Sequence, residues 1–113
     1  MEPTSTSPTP KALSVSQLNQ RAKQTLERDV GEVWVEGELS NVSRPASGHI
    51  YFTLKDDRAQ IRCALFRQRA ARVRLAMRDG QQIRARGRVS LYEGRGDYQL
   101  IVDSVETAGD GAL

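Results

Sequence analysis

Cysteine, histidine and tryptophan each occur once in this chain of 113 residues. A single cysteine, Cys63, excludes an intrachain disulfide, which predicts an intracellular protein rather than a stapled secreted one. Cys63 stands at an inward position of an alternating segment, so it reads as a small buried hydrophobe and not as a nucleophile. Apolar runs are short: none approaches the ~18 residues of a membrane span, and no signal-peptide pattern is present. These absences predict a soluble, cytoplasmic chain without membrane contact, one domain long and able to bury a core without staples.

Lysine is missing from residues 58 to 95, yet that stretch holds eleven arginines against only Asp79 and Glu93, a net of +9. Residues 27 to 57 carry seven acids and three bases, a net of −4. The modest overall charge of +3 therefore hides two unlike halves. Arginine offers a planar fork for phosphate and a flat face for stacking on bases, whereas lysine offers a point charge. Either the arginines are a solvated surface, or they serve a nucleic acid; their place on strands with aromatics between them favours the second.

Residues 1–12 are rich in proline, serine and threonine and predict a disordered tail. Ser14 and Gln17 have capping-box spacing, and Val15, Leu18, Ala22 and Leu26 continue at helical spacing. The expected helix spans about 15–28, closes at Asp29 to Gly31, and packs its narrow stripe on a neighbour. A long first strand follows from Glu32 to Val42, with Gly37 marking a bend or bulge that lets it serve two sheets. After a loop of turn formers, Ile50, Phe52 and Leu54 share one face, and so do Ile61, Cys63 and Leu65 across an acidic turn. The opposite face carries His49, Tyr51, Thr53 and Lys55, then Arg62, Ala64 and Phe66. Arg67 to Ala76 predicts a short helix with Ala70, Val73 and Met77 on its apolar side, ended by Gly80. Ile83, Ala85, Gly87, Val89 and Leu91 then alternate against Arg84, Arg86, Arg88, Ser90 and Tyr92. A glycine-containing hairpin loop, Glu93 to Asp97, leads to a fifth strand ending at Glu106, and 107–113 reads as a linker.

Helix, three strands, short helix and two strands is the order of a mainly β, five-stranded OB-fold, a Greek-key barrel occupying residues 13–106. Such barrels bind oligonucleotides on the face of strands two and three and the loops after strands one and four. Both loops carry an arginine here, Arg44 and Arg95.

Specific segments then resemble a known family. Ser14-Val-Ser-Gln-Leu-Asn19, Val33-Trp-Val-Glu-Gly-Glu-Leu-Ser-Asn41, Ser47-Gly-His-Ile-Tyr-Phe-Thr-Leu-Lys-Asp56, Ile61-Arg-Cys-Ala-Leu-Phe-Arg67, Gly87-Arg-Val-Ser-Leu-Tyr-Glu93 and Gly96-Asp-Tyr-Gln-Leu100 are similar, in order and spacing, to the amino-terminal domain of the bacterial exodeoxyribonuclease VII large subunit. The resemblance implies an OB-fold that binds single-stranded DNA and presents it to a following catalytic region. It also implies a whole enzyme that degrades single strands to oligonucleotides without added divalent metal, assembled with copies of a small helical subunit. The sequence stops at Leu113, where the family would continue into its catalytic region, so no catalytic residue is carried over.

The residues themselves predict no chemistry of bond breaking. Hydrolysis needs a carboxylate metal cage or a general base beside a nucleophile. His49 reads as a surface or phosphate-contacting histidine, Asp56 and Asp57 as turn residues, and Glu36 with Glu38 lack further ligands for a cation. Neither a metal nor a cofactor is expected. For binding, Tyr51 and Phe66 are the candidate stacking rings, with Tyr92 third. Each has a plainer alternative: a cross-strand partner for the tyrosines, packing under the short helix for Phe66. Trp34 is set aside because the amino-terminal helix is expected to cover its strand. Arg44, Lys55, Arg62, Arg84, Arg86, Arg88 and Arg95 are candidates for phosphate, while Arg67, Arg69, Arg72 and Arg74 read as a solvated surface or a face toward further chain. Two other functions stay open: a scaffold that docks nuclease parts, and an RNA-binding OB-fold.

Overall fold

The computed structural model describes residues 11–108; residues 1–10 of the tail expected over 1–12, and 109–113 of the linker expected over 107–113, lie outside the described residues. Helix α1 spans Val15–Asp29. Its start is the expected capping box: Gln17 N–H donates to Ser14 Oγ at 3.1 Å, and Ser14 N–H donates to Gln17 Oε1 at 2.8 Å. These bonds satisfy donors that a helix N-terminus leaves without partners. The C-terminal end closes on Leu26 O, which accepts from Val30 and from Gly31, the latter at φ 65°.

Strands β1 (Glu32–Ser43), β2 (Ile50–Lys55), β3 (Gln60–Leu65), β4 (Gln82–Tyr92) and β5 (Asp97–Thr107) close a barrel in the order β1-β2-β3-β5-β4. Only β3 and β5 run parallel. The first half of β1 pairs with β4 and the second half with β2, the two sets meeting at Glu38. Gly37 sits at that handover as the sequence predicts, and a Cβ there would lie 3.0 Å from Lys55 O. Gly87 is needed still more: an added Cβ would collide with Ile101 O, beside the register shift between β4 and β5. The acidic turn between β2 and β3 is tied by Asp56, whose carboxylate accepts from Arg58 N–H (2.9 Å) and Ala59 N–H (2.8 Å). Those donors favour the charged form and hold the Asp56 carboxyl below its usual range.

The inward residues of the alternating segments form the core: Ile50, Phe52 and Leu54 from β2, Cys63 and Leu65 from β3, Ile83, Ala85 and Val89 from β4, and Leu100 and Val102 from β5. β5 runs one residue past the expected boundary at Glu106, and Ala108 is buried, its N–H bonded to Gln82 O at 3.2 Å.

Four sequence expectations are corrected. The helix expected over Arg67 to Ala76 is a single turn, α2 (Arg67–Ala70). Beyond it Val73 and Leu75 pack against the core and Met77 enters it, a tertiary demand that overrides the helical propensity of alanine and arginine. Gly80 (φ 90°) therefore closes the turn before β4 rather than a helix. Second, the α1 stripe docks only in part. Asn19, Ala22 and Leu26 are half-buried, while Val15 and Leu18 stay 76% and 55% exposed because the helix overhangs the barrel at its amino end. Third, Ser90 is buried rather than outward, since α1 covers that end of β4 and Ser90 Oγ donates to Glu27 Oε2 at 3.0 Å. Fourth, α1 leaves Trp34 46% exposed, because the helix lies across β4 instead.

Candidate nucleic-acid interface

Strand register decides which outward side chains become neighbours. Tyr51 lies opposite Ser43 on β1 and Ala64 on β3, and Arg62 lies between Thr53 on β2 and Gln99 on β5. The end of β4 and the β4–β5 loop then bring Tyr92 and Arg95 over the same face. Together these residues line a cleft of about 580 Å3 whose floor includes Phe52, Cys63 and Ala64. Ala64 keeps the outward position expected of it yet is buried, being too short to rise above its neighbours. Tyr51 and Tyr92 are 40% and 52% exposed, so each ring has a face open to a ligand.

Two cations serve this cleft differently. Arg62 makes no ion pair among the described residues. Arg95 lies 5.7 Å from the centre of the Tyr92 ring and 3.3 Å from the Asp97 carboxylate, with both charged groups largely exposed. A weak surface ion pair of this kind is easily exchanged for a phosphate. The loop is held from behind by α1: Asn19 Nδ2 donates to Glu93 O and Lys23 Nζ to Glu93 Oε2, both at 3.0 Å.

The aromatic row continues beyond Tyr51. His49 meets Tyr51 edge-on at 6.1 Å and Phe66 edge-on at 5.5 Å between ring centres. His49 Nδ1 accepts from the backbone N–H of Arg67 at 2.9 Å, which fixes the ring and leaves Nε2 as its outward donor. Phe66 is 43% exposed at the start of α2 rather than packed beneath it. Arg44 borders the neighbouring recess with His49 and Arg67, and spends one N–H on Met77 O at 2.9 Å.

The remaining candidates stand elsewhere. Lys55 adjoins Glu36, Glu38, Asp56 and Asp57 near the β2–β3 turn. Arg84, Arg86 and Arg88 lie opposite Glu36, Trp34 and Glu32 on the β1–β4 wall. Arg84 reaches Glu106 at 3.3 Å, and Arg84 and Arg86 lie 4.8 and 5.9 Å from the Trp34 ring centre. Arg86 Nε is 3.5 Å from Glu32 Oε2, close enough for charge attraction but without hydrogen-bond geometry. Sequence reasoning left out Asn41, Ser43 and Gln99, which also line the cleft. The signal for Gln99 was its alternation with Leu100; that for Asn41 was an asparagine able to take φ 53°.

Cys63 is inaccessible, and burial pushes its thiol up to about 12, so it carries no nucleophile at neutral pH. Among the described residues, no group of three or more His, Cys, Asp or Glu could hold a metal ion, and no helix is long and apolar enough to cross a membrane.

A family model described as an OB-fold nucleic acid binding domain matches residues 13–106. The chain belongs to that family. The exodeoxyribonuclease resemblance is met as well. The chain is 71% identical over 101 residues to the Exodeoxyribonuclease 7 large subunit of Pseudomonas aeruginosa (strain PAO1), and 70% identical over 101 residues to that of Stutzerimonas stutzeri (strain A1501). Each match covers 89% of this chain and 22% of the relative, so the chain spans about a fifth of the length of these proteins. Among solved structures, a Replication Protein A heterotrimer bound to single-stranded DNA is similar in fold, with a TM-score of 0.58 and 14% identity over 72% of this chain and 60% of that one. Asparaginyl-tRNA synthetase from Pyrococcus horikoshii is also similar, with a TM-score of 0.54 and 14% identity over 68% of this chain and 19% of that one.

Proposed function

We propose that this domain binds single-stranded DNA across the cleft of β2, β3 and the β4–β5 loop. The carrying observation is the convergence of Tyr51, Arg62, Tyr92 and Arg95 on one open face. Rings with a free face stack on any base, and the two arginines answer the phosphates between them, which suits a strand read for its backbone rather than its sequence. His49, Phe66 and Arg44 extend the contact beyond Tyr51. Arg84, Arg86, Arg88 and Lys55 contribute less, because carboxylates lie beside them.

In a longer protein of the kind its relatives are, the domain would hold the strand for a following catalytic region that degrades it to oligonucleotides. A small subunit would join that larger assembly. The domain alone would be a binding module and not an enzyme, working in the cytoplasm where such DNA is processed. One observation favours a second reading, a scaffold: Leu13, Val15 and Leu18 present exposed apolar surface at the amino end of α1.

Fluorescence anisotropy separates the readings, using a labelled DNA of about 15 nucleotides, its duplex and the matching RNA at two salt concentrations. The proposal expects salt-dependent preference for the single-stranded DNA. Equal or tighter binding of RNA would shift the assignment to an RNA-binding domain. No binding at low salt would leave the scaffold reading.

A further inference from the structure

The chain that leaves β3 does not turn away from the barrel at once. After Phe66 and the single turn of α2 it crosses β5, where Arg69 Nε lies 3.8 Å from the Asp103 carboxylate. Val73 and Leu75 pack against the core, so Arg72 and Arg74, alternating with them, remain exposed. Arg69, Arg72 and Arg74 thereby line one side of a second cleft, of about 390 Å3, with Arg86, Asp103 and Ser104 across from them. Among the described residues Asp103 is the one carboxylate in its lining; Glu32 approaches Arg86 from outside it. Among the described residues, Arg72 and Arg74 have no carboxylate within 4 Å.

Among the described residues the lining contains no aromatic ring. A cleft with four guanidinium groups, a serine hydroxyl and nothing to stack on is built for phosphate rather than for bases. It is also continuous with the aromatic row, since Phe66 touches His49 and Arg67 N–H bonds to the same histidine, two residues before Arg69. We propose that Arg69, Arg72 and Arg74 form a second, phosphate-only sector of the DNA site, entered by a strand that fills the Tyr51–Tyr92 cleft and runs on past Phe66. This rests on the single-stranded DNA reading above. Continuity with that cleft, together with the lack of lysine, favours a nucleic-acid backbone over an acidic protein segment.

Strand length is the discriminating variable. A labelled oligodeoxythymidylate of about 6 nucleotides fits the first cleft alone, and one of about 15 reaches both sectors. The variant to compare with wild type is Arg72→Gln plus Arg74→Gln, which removes two exposed charges and no ion pair among the described residues, with a thermal melt to show that folding is intact. Two lost phosphate contacts lower the salt slope for the longer strand by about 1.4, which is roughly 25-fold in affinity at ~0.1 M salt relative to 1 M. The shorter strand should bind the variant as it binds wild type. An equal loss for both lengths, or none for the longer one, overturns the second sector. Unchanged DNA binding with lost binding of polyglutamate would reassign the cleft to an acidic protein segment. If wild type binds neither length, the reading of the first cleft fails, and this one fails with it.

Discussion

Two walls of the same barrel carry arginines on outward strand positions, and they have put them to different uses. On the β1–β4 wall, Arg84, Arg86 and Arg88 face Glu36, Trp34 and Glu32, with Glu106 alongside. Arg84 and Arg86 each have a carboxylate within 4 Å, and the same two flank an indole ring. On the β2–β3 wall, Arg62 faces Thr53 and Gln99, neither of which can neutralise it. The contrast teaches that an arginine count does not measure a phosphate site. What matters is which strand the arginine is registered against, because a like-signed or neutral neighbour leaves the cation to solvent or ligand.

The severest way to break the comparison is at Gly87, on the strand that forms one wall and leads to the loop of the other. Gly87→Ala drives a methyl into Ile101 O and should cost about 3 kcal/mol of stability, read as a lower denaturant midpoint with an unchanged slope. Next comes Tyr51→Ala, which touches one wall only. It should weaken single-stranded DNA binding by about 1–3 kcal/mol in anisotropy titrations while leaving the melting temperature nearly unchanged.

The floor of the cleft supplies a pH test. The folded Cys63 thiol is raised from 9.0 to about 12, so the folded state holds its proton more tightly than the unfolded state does. The resulting stability is complete below pH 9 and declines as pH rises from 9 toward 12. Its limiting slope is about 1.4 kcal/mol per pH unit, a loss that Cys63→Ala should remove in denaturant titrations. The smallest effect sharpens the comparison most. Arg84→Gln plus Arg86→Gln should change the salt slope of DNA binding by less than about 0.7, whereas Arg62→Gln alone should lower it by about that amount.

Much of the barrel was legible because its rules are local. Period-two alternation marked all five strands, Ser14 and Gln17 marked the start of α1, and Gly37 marked the strand that serves two partners. Arg67 to Ala76 misled for a physical reason: its composition favours helix, but Val73, Leu75 and Met77 have to reach the core, and one helical turn followed by irregular chain gets them there. Ser90 and Trp34 misled because both depend on where α1 lands, and nothing in the helix states its docking partner.

The candidate site divides the same way. That Tyr51 and Arg62 point away from the core follows from alternation within single strands, a two-residue repeat imposed by the pleated backbone. That Tyr92 and Arg95 join them, and that Arg84 and Arg86 meet acids, depends on barrel closure and on the register shift beside Gly87. Chain stereochemistry sets the first kind of fact, so the sequence by itself determined it. The second is set by pairing between residues distant in the chain, which only the folded barrel brings within reach, so the tertiary structure alone decided it.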